Sequence, residues 1–179
     1  ETYPTLSSLS SAPDGARALK LWVEELNYKV DDQVLTNFAP PEEASIVFVL
    51  EPQFPTEDEL AAMDEWIEEG GTLIAIGEQY GMFSLIDHYK FFFNYLPDNE
   101  GTPSNETPLL DSPSALDLTN IQIGIALGSD RDDYVTLISY QSQPVLVSFE
   151  QGRGRVILGT VTEAFTNAAR HASARRVDV

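Results

Sequence analysis

Carboxylates and amides that follow predicted β-strands are the side chains in this chain best suited to chemistry. Glu51 comes directly after an apolar run, and Glu78 follows a second apolar run further along the chain. Open α/β sheets bind ligands outside the carboxyl ends of their parallel strands, where such side chains meet. Two carboxylates at that edge can exchange protons with a substrate or hold a cation. The candidate ligand-binding residues at this edge are Ser11, Asp14, Glu51, Glu78, Gln79 and Asn167.

A purely structural role is the competing interpretation of these residues. Ser11 or Asp14 can cap a helix that begins near Pro13, because a short polar side chain accepts hydrogen bonds from the first amides of a helix. Glu51 and Glu78 would then simply point into water. The sequence is consistent with both interpretations.

No catalytic set is predicted. Amidotransferases use a cysteine paired with a histidine and a carboxylate, and this chain contains no cysteine. The turn at 77–81 (GEQYG) offers no serine either. Ser84 and His88 lie four residues apart, on one face if that segment is helical, but no third member accompanies them. The sequence therefore predicts a protein that is not an enzyme.

Metal and cofactor sites are not predicted. The two histidines, His88 and His171, are fewer than the several His or Cys ligands that zinc normally takes. The turn after the first strand lacks the glycine-rich loop that cradles phosphate, which argues against a flavin or a nucleotide. Clustered carboxylates suit Ca²⁺, but Arg131 interrupts the acidic cluster here, so a solvated hairpin turn is the favoured interpretation. The weak metal candidates in that cluster are Asp130, Asp132 and Asp133.

The charge of the chain excludes two kinds of partner. Its 179 residues include 10 basic and 29 acidic side chains, a formal net charge of −19. Nucleic acids and anionic lipid head groups both need Lys and Arg, so neither is an expected partner. The longest aromatic and apolar stretch, at 91–96, is too short to span a bilayer, so no membrane insertion by this segment is expected. The chain begins at Glu1, and we expect a trimmed fragment of a longer protein.

The segment 45–81 predicts a strand, a helix and a second strand. Ser45–Leu50 and Thr72–Ile76 are apolar and β-branched, as in parallel strands that are buried on both faces. Thr56 and Glu59 have the spacing of a capping box at the helix start, and Gly70 with Gly71 favours a left-handed helix end. Two strands joined in this way are expected to be parallel.

The flanking segments complete one predicted domain, 1–179. The first third predicts a short strand, a helix that ends at Asn27, and a strand at 28–35; the helix should bury Ala16, Leu19, Val23 and Leu26. An irregular excursion is predicted at about 81–120, in which 84–95 is compatible with a short helix or an aromatic strand, and a mixture of the two is favoured. Further strands are predicted at 121–127, 134–140, 144–149 and 155–158, before a closing helix at 163–175.

Three sequence segments occur here in an order that resembles a bacterial family. They are PDGARALKLWVEELNYKV, the strand-helix-GG-strand unit with its TLI run, and FEQGRGRVILGTVTEAFTNAA. Together they resemble the bacterial domain of unknown function 4350 family, whose fold is similar to the class I glutamine-amidotransferase-like, flavodoxin-like group. The resemblance implies the extracytoplasmic part of a membrane-anchored bacterial protein, with the anchoring helix outside this chain.

We therefore expect a three-layer α/β domain, flavodoxin-like or amidotransferase-like, with a mostly parallel central sheet and an antiparallel C-terminal extension. The expected function is a non-catalytic binding or interaction domain on the extracytoplasmic face of the membrane, whose partners are other membrane or envelope proteins. The alternative is a cysteine-free, amidotransferase-like hydrolase that uses carboxylates at the strand edge. A hydrolase needs a walled pocket at that edge, whereas a binding domain needs an exposed edge or an apolar patch.

Overall fold

The computed structural model describes residues 6–11, 15–31, 39–40, 43–97, 104–105 and 123–160. These ranges contain three helices and eight strands. In chain order they are α1 (Arg17–Glu25), β1 (Ile46–Leu50), α2 (Glu57–Glu68), β2 (Thr72–Ile76), α3 (Tyr80–His88), β3 (Phe91–Tyr95), β4 (Ser104–Asn105), β5 (Ile125–Ser129), β6 (Tyr134–Tyr140), β7 (Gln143–Gln151) and β8 (Gly154–Gly159).

Both ends of α2 form as the sequence predicts. The Thr56 side chain accepts a hydrogen bond from the Glu59 amide, and the Glu59 carboxylate accepts one from the Thr56 amide at 2.7 Å. At the other end Gly70 has a φ of 122°, and the Gly71 amide donates to the Trp66 carbonyl at 3.1 Å. The Gly70 and Gly71 amides thus donate to carbonyls in the last turn of α2 that would otherwise lack partners. The helix therefore ends just before β2 begins.

The larger sheet has the strand order β1-β2-β8-β7-β6-β4. β1, β2 and β8 are parallel, and the remaining pairs are antiparallel. β3 and β5 form a second, antiparallel sheet. The structure thus confirms a mixed α/β fold, the parallel unit at 45–76 and the antiparallel C-terminal part.

β1 is not buried on both faces, contrary to its uninterrupted apolar sequence. It is the last strand at its end of the described sheet, and Ile46 and Phe48 are 46% and 37% exposed. An apolar run therefore indicates a strand of a parallel sheet, but it does not distinguish a central strand from an edge strand, because that depends on which segments pair.

Helices α2 and α3 cover one face of the larger sheet. Met63 and Ile67 of α2 pack there against Leu73 of β2. The next residue of β2, Ile74, points to the opposite face, because side chains alternate along a strand. A second hydrophobic cluster, built around Tyr140, lies on that opposite face.

The start of α1 differs from the prediction. Its N-terminal cap is Ala16, with no side-chain capping bond, and the Ser10 carbonyl accepts from the Arg17 amide at 3.2 Å. Ser11 therefore does not cap this helix, and Asp14 lies outside the described residues. Backbone carbonyls of the preceding turn, rather than a capping side chain, accept the hydrogen bonds of the first amides of α1.

The end of α1 confirms one prediction and contradicts two. Asn27 has a φ of 65° and ends the helical segment in the left-handed conformation, as expected. Leu26 is 51% exposed rather than buried. Residues 28–31 form no strand, and the remainder of the strand predicted at 28–35 lies outside the described residues.

The ambiguous segment 84–95 contains both of its predicted structures. α3 ends at His88, Lys90 has a φ of 65°, and β3 follows at once. The excursion at 98–103 and 106–122 and the closing helix at 163–175 lie outside the described residues. In the part of the chain that is described, no helix is long and apolar enough to cross a membrane.

Candidate functional site

The carboxyl ends of the three parallel strands meet at one edge of the sheet. The Glu51 amide donates to the Ile76 carbonyl at 2.9 Å, which ties the end of β1 to the end of β2. The Gly77 amide donates to the Gly159 carbonyl at 3.0 Å, which ties β2 to β8. The chain enters α3 directly from this edge.

Glu51 closes this edge with its side chain. Its carboxylate accepts hydrogen bonds from the Glu78 amide at 3.1 and 3.2 Å and from the Gln79 amide at 3.1 Å. These amides lie immediately before α3, where a negative charge also interacts favourably with the positive end of the helix dipole. The expectation that Glu51 points into water is therefore wrong. The carboxylate links the end of β1 to the start of α3 through these hydrogen bonds, and we call this link the carboxylate bracket.

Two glycines make this close approach possible. A Cβ atom on Gly77 would lie 2.8 Å from the Glu51 Oε2 atom. A Cβ atom on Gly81 would lie 1.8 Å from the Pro52 carbonyl oxygen, far inside any allowed contact. This role of the glycines is not predicted from the sequence, although Gly77 and Gly81 flank a predicted strand-to-helix turn there. We call residues 51–53 and 77–81 together the Glu51 turn.

The structure unites three of the six candidate residues. Glu51, Glu78 and Gln79 meet in the Glu51 turn, but the last two contribute backbone amides to it. Ser11 is exposed in the segment before α1, and no described hydrogen bond joins it to this turn. Asp14 and Asn167 lie outside the described residues.

Exposed aromatic residues lie within and next to the Glu51 turn along the chain. Phe54, Tyr80 and Phe83 are 67%, 77% and 37% exposed, and we call them the aromatic surface. The rings of Tyr80 and Phe83 stack with their centroids 6.2 Å apart, and Phe83 contacts Phe93 edge-on at 4.5 Å. Phe54 directly follows Gln53, whose backbone lies against Gly81 in the first turn of α3. The Glu51 turn therefore holds the loop that carries Phe54 against the helix that carries Tyr80 and Phe83.

His88 does not form a pair with Ser84. Its Nε2 atom lies 2.8 Å from the Asp64 Oδ2 atom on α2, and Gln151 of β7 donates to Asp64 Oδ1 at 2.9 Å. Asp64 thus links three elements at the end of α3 opposite the Glu51 turn. Sequence reasoning missed this cluster because its members are separated by tens of residues and carry no motif.

Tyr89, next to this cluster, has a buried hydroxyl group. The ring is 3% exposed, and the hydroxyl has no hydrogen-bond partner among the described residues. Burial, and after it the nearby Asp64 carboxylate, raises the pKa of Tyr89 above its ordinary value of 10.0. The neutral phenol is therefore strongly favoured in the folded state.

This raised pKa predicts a loss of stability at alkaline pH. The folded pKa exceeds the unfolded pKa, so the contribution of Tyr89 is present below pH ~10 and is lost as the pH rises above it. The Tyr89→Phe variant should match or exceed the wild type by about 1 kcal/mol at pH 7, because a buried unpaired hydroxyl is removed. Above pH ~10 its advantage should grow by up to about 1.4 kcal/mol per pH unit.

Urea unfolding at neutral and alkaline pH measures this difference. Tyr95→Phe is the matched control, because Tyr95 is 74% exposed, and its free energy of unfolding should follow the wild-type pH dependence. If Tyr89→Phe and the wild type lose stability in parallel above pH ~10, the proposed role of Tyr89 is incorrect.

One carboxylate of the acidic cluster after β5, that of Asp133, is paired with a cation of the chain itself. Arg131 donates two hydrogen bonds to the Asp133 carboxylate, both at 2.7 Å, and its guanidinium lies 3.9 Å from the centroid of the Phe149 ring. The hydrogen bonds from Arg131 lower the pKa of Asp133. β5 pairs with β3, whereas β6 pairs with β7, so this segment joins two sheets and is not a hairpin turn.

No metal centre is visible in the described ranges, where no group of three or more His, Asp or Glu side chains is arranged to hold an ion. One shallow pocket of about 250 Å³ lies at the far end of α3 from the Glu51 turn. Its lining residues are Asp87, Lys90, Phe91, Phe92, Asp130 and Arg131. The pocket is therefore separate from the strand edge at which a catalytic cleft was considered.

These features define a mixed α/β domain whose strand edge is closed by a carboxylate bracket and lined by exposed aromatic rings. Residues 8–174 match the family model described as "Domain of unknown function (DUF4350)". The chain therefore belongs to this family, as its sequence resemblance indicated. A comparison with curated proteins finds no match.

Solved structures share the fold at low sequence identity. "Cytoplasmic Protein STM3548 from Salmonella typhimurium" is 12% identical, with a TM-score of 0.58 over 88% of this chain and 86% of that chain. "Cytoplasmic Protein STM1381 from Salmonella typhimurium LT2" is 14% identical, with a TM-score of 0.56 over 81% and 75%. The "mmIFT52 N-terminal domain" is 13% identical, with a TM-score of 0.58 over 97% and 93%. At such identities the likeness shows the fold alone.

Proposed function

We propose that this chain is a non-catalytic binding domain that captures a protein partner at the aromatic surface. The observation that carries the proposal is the use of Glu51. Both of its carboxylate oxygens accept backbone hydrogen bonds within the Glu51 turn, so the residue best placed for acid-base work holds the fold together. The same edge also exposes the aromatic rings of Phe54, Tyr80 and Phe83 to solvent.

The aromatic surface has the character of an interaction site. Large aromatic side chains are enriched at the centres of protein interfaces, where they contribute much of the binding free energy. Tyr80 is the most exposed of the three rings, and it belongs to the same helix turn that Glu51 positions. A rigid backbone below an exposed ring reduces the conformational entropy that binding must remove.

The proposal includes the finer fold and the location that the family resemblance implies. We take the domain to be a three-layer, flavodoxin-like or amidotransferase-like sandwich, in which α2 and α3 form one helical layer. We place it on the extracytoplasmic face of a bacterial membrane, anchored by a segment outside this chain, with envelope or membrane proteins as partners. The two Salmonella proteins are described as cytoplasmic, but at 12% and 14% identity their location does not transfer.

The absence of cysteine from this chain allows a direct test of this location. With any cysteine outside this chain replaced, a cysteine introduced at exposed Glu65 in the full-length protein should react with a membrane-impermeant maleimide in intact cells whose outer membrane has been permeabilised. A cysteine at Ala75, which is fully buried, should react only after denaturation and serves as the control. Labelling of the Glu65 position only after cell lysis would contradict an extracytoplasmic location.

Site-specific photo-crosslinking tests whether the aromatic surface binds a partner. A photoreactive amino acid at position 80 of the full-length protein should give one major adduct in the native host. The same amino acid at Trp22, which is 47% exposed on α1, should not give that adduct. No adduct at position 80, or the same adduct at both positions, would contradict the proposed binding role.

The competing function is a hydrolase that uses Glu51, Glu78 or Asp14 as working acids. Purified protein assayed on a panel of ester, amide and glycoside substrates should show no turnover. The alternative would be established by turnover that falls in Glu51→Gln and Glu78→Gln while both variants keep the wild-type circular dichroism spectrum. Equal background rates in the wild type and both variants would support the binding role.

A further inference from the structure

The aromatic surface lies in the most acidic part of the chain. The stretch 30–89 contains no lysine and no arginine, yet it holds nearly half of the 29 acidic residues. Phe54 and Tyr80 belong to this stretch, and both are more than 60% exposed. Acidic residues therefore flank these two rings in the sequence, and no lysine or arginine of the same stretch neutralises their charge.

Part of this charge follows Phe54 closely along the chain. Glu57 and Asp58 are exposed in the first turn of α2, and α2 starts at the end of the loop that carries Phe54. Glu57 follows Gln53 by four residues, so at most about 14 Å of extended chain separates it from the backbone that contacts Gly81. Carboxylates beside exposed aromatic faces form a surface on which a cation gains both charge attraction and contact with a π-system.

We propose that the partner of the aromatic surface presents an arginine- or lysine-bearing polypeptide segment. This inference rests on the proposed binding function and specifies its partner. Charge complementarity argues for it, since an acidic apolar surface repels acidic segments and leaves neutral ones without electrostatic gain. Arginine suits the surface best, because its flat guanidinium stacks on aromatic rings while its edges donate hydrogen bonds to carboxylates.

The chain already contains an example of this contact. Arg131 lies 3.9 Å over the ring of Phe149 while it donates two hydrogen bonds to Asp133. An arginine of the partner would make the same kinds of contact, with its guanidinium over an exposed ring of the aromatic surface and its edge toward an exposed carboxylate such as Glu57. The difference is that Arg131 is internal and permanent, whereas Tyr80 and Glu57 face solvent.

A defined peptide tests the proposal. The fluorescence anisotropy of a labelled peptide of alternating arginine and glycine should rise on titration with the purified chain, and the affinity should fall as salt is added. A peptide of alternating glutamine and glycine should bind at least tenfold more weakly. Tyr80→Ala should weaken arginine-peptide binding about five- to tenfold, and Tyr80→Phe, which keeps the ring face, should stay within about twofold.

Matched variants separate a specific site from general attraction to an acidic protein. Glu57→Gln and Glu68→Gln both remove one exposed negative charge from α2, at its two ends about 17 Å apart. Glu57→Gln should weaken binding about threefold, and Glu68→Gln should leave it unchanged. Trp22→Ala removes an exposed ring from α1 and should also have no effect.

Three results would overturn the inference: no saturable binding up to about 1 mM peptide, equal binding of the glutamine peptide, or equal losses in Glu57→Gln and Glu68→Gln. Photo-crosslinking at position 80 distinguishes this failure from failure of the proposed function. If the position-80 adduct forms while the arginine peptide does not bind, the surface binds a partner of other chemistry. If neither occurs, the binding function itself is wrong.

Discussion

Replacement of Gly81 by alanine should destabilise the protein by about 2 kcal/mol and weaken binding at the aromatic surface. The new Cβ would lie 1.8 Å from the Pro52 carbonyl oxygen, and neither atom can rotate away, because the oxygen is part of the backbone and the Cβ position is fixed by it. The loop of Phe54 and the first turn of α3 must therefore separate, at an overpacking penalty of about 1–3 kcal/mol or more. Alanine is the better helix former by about 1 kcal/mol, so a net loss would show that the close contact dominates.

Gly124→Ala is the matched control for this substitution. A Cβ at Gly124 meets no atom within 4 Å, and its backbone does not require glycine. Its free energy of unfolding, measured by urea titration, should therefore stay within about 0.5 kcal/mol of the wild type. If Gly81→Ala were as stable as Gly124→Ala, the loop of Phe54 would not be packed against α3 as the structure shows.

Replacement of Glu51 by alanine should cost about 2 kcal/mol of stability. The Glu78 and Gln79 amides lose their shared acceptor, and α3 loses the negative charge at its start. Glu51→Gln should lie between the wild type and alanine, because it keeps one acceptor oxygen but no charge. The exposed Glu65→Ala, measured in the same urea titration, should change stability by no more than about 0.5 kcal/mol.

A glycine variant separates the carboxylate from the backbone at this position. Glu51 has a φ of 48°, a left-handed conformation that costs a residue with a Cβ about 1 kcal/mol or more. Glu51→Gly should therefore be about 1 kcal/mol more stable than Glu51→Ala, although it lacks the same hydrogen bonds. If these two variants were equally stable, the backbone at position 51 would not be strained. If Glu51→Ala were as stable as the wild type, the Glu51 carboxylate would not stabilise the start of α3.

Local patterns account for the elements that the sequence predicted well. The capping box at Thr56 and Glu59, the glycine stop at 70–71 and the strand Thr72–Ile76 all depend on interactions within a few residues. The left-handed Asn27 is equally local. Such features follow from side-chain chemistry and spacing, and so they can be inferred without knowing the rest of the fold.

The wrong predictions concern features that depend on pairing between distant segments of the chain. β1 looks like a central strand but is an edge strand of the described sheet, and Asp130–Asp133 looks like a hairpin turn but joins two sheets. His88 has the spacing of a partner for Ser84 in the sequence, but in the structure it contacts Asp64. In each case the local sequence is compatible with both arrangements, and contacts made elsewhere choose between them.

The candidate site also combines features set by the local sequence with features set by contacts between distant segments. By itself the sequence determined the strand-helix-strand unit, the absence of a thiol nucleophile, the strong negative charge, and the placement of Glu51, Glu78 and Gln79 after two strands. Only the tertiary structure decided that Glu51 brackets α3, that Gly77 and Gly81 permit this approach, and that Phe54 and Tyr80 remain exposed beside it. The physical reason is that residue types and spacing set local conformation, whereas the direction and burial of a side chain depend on which distant backbone lies against it.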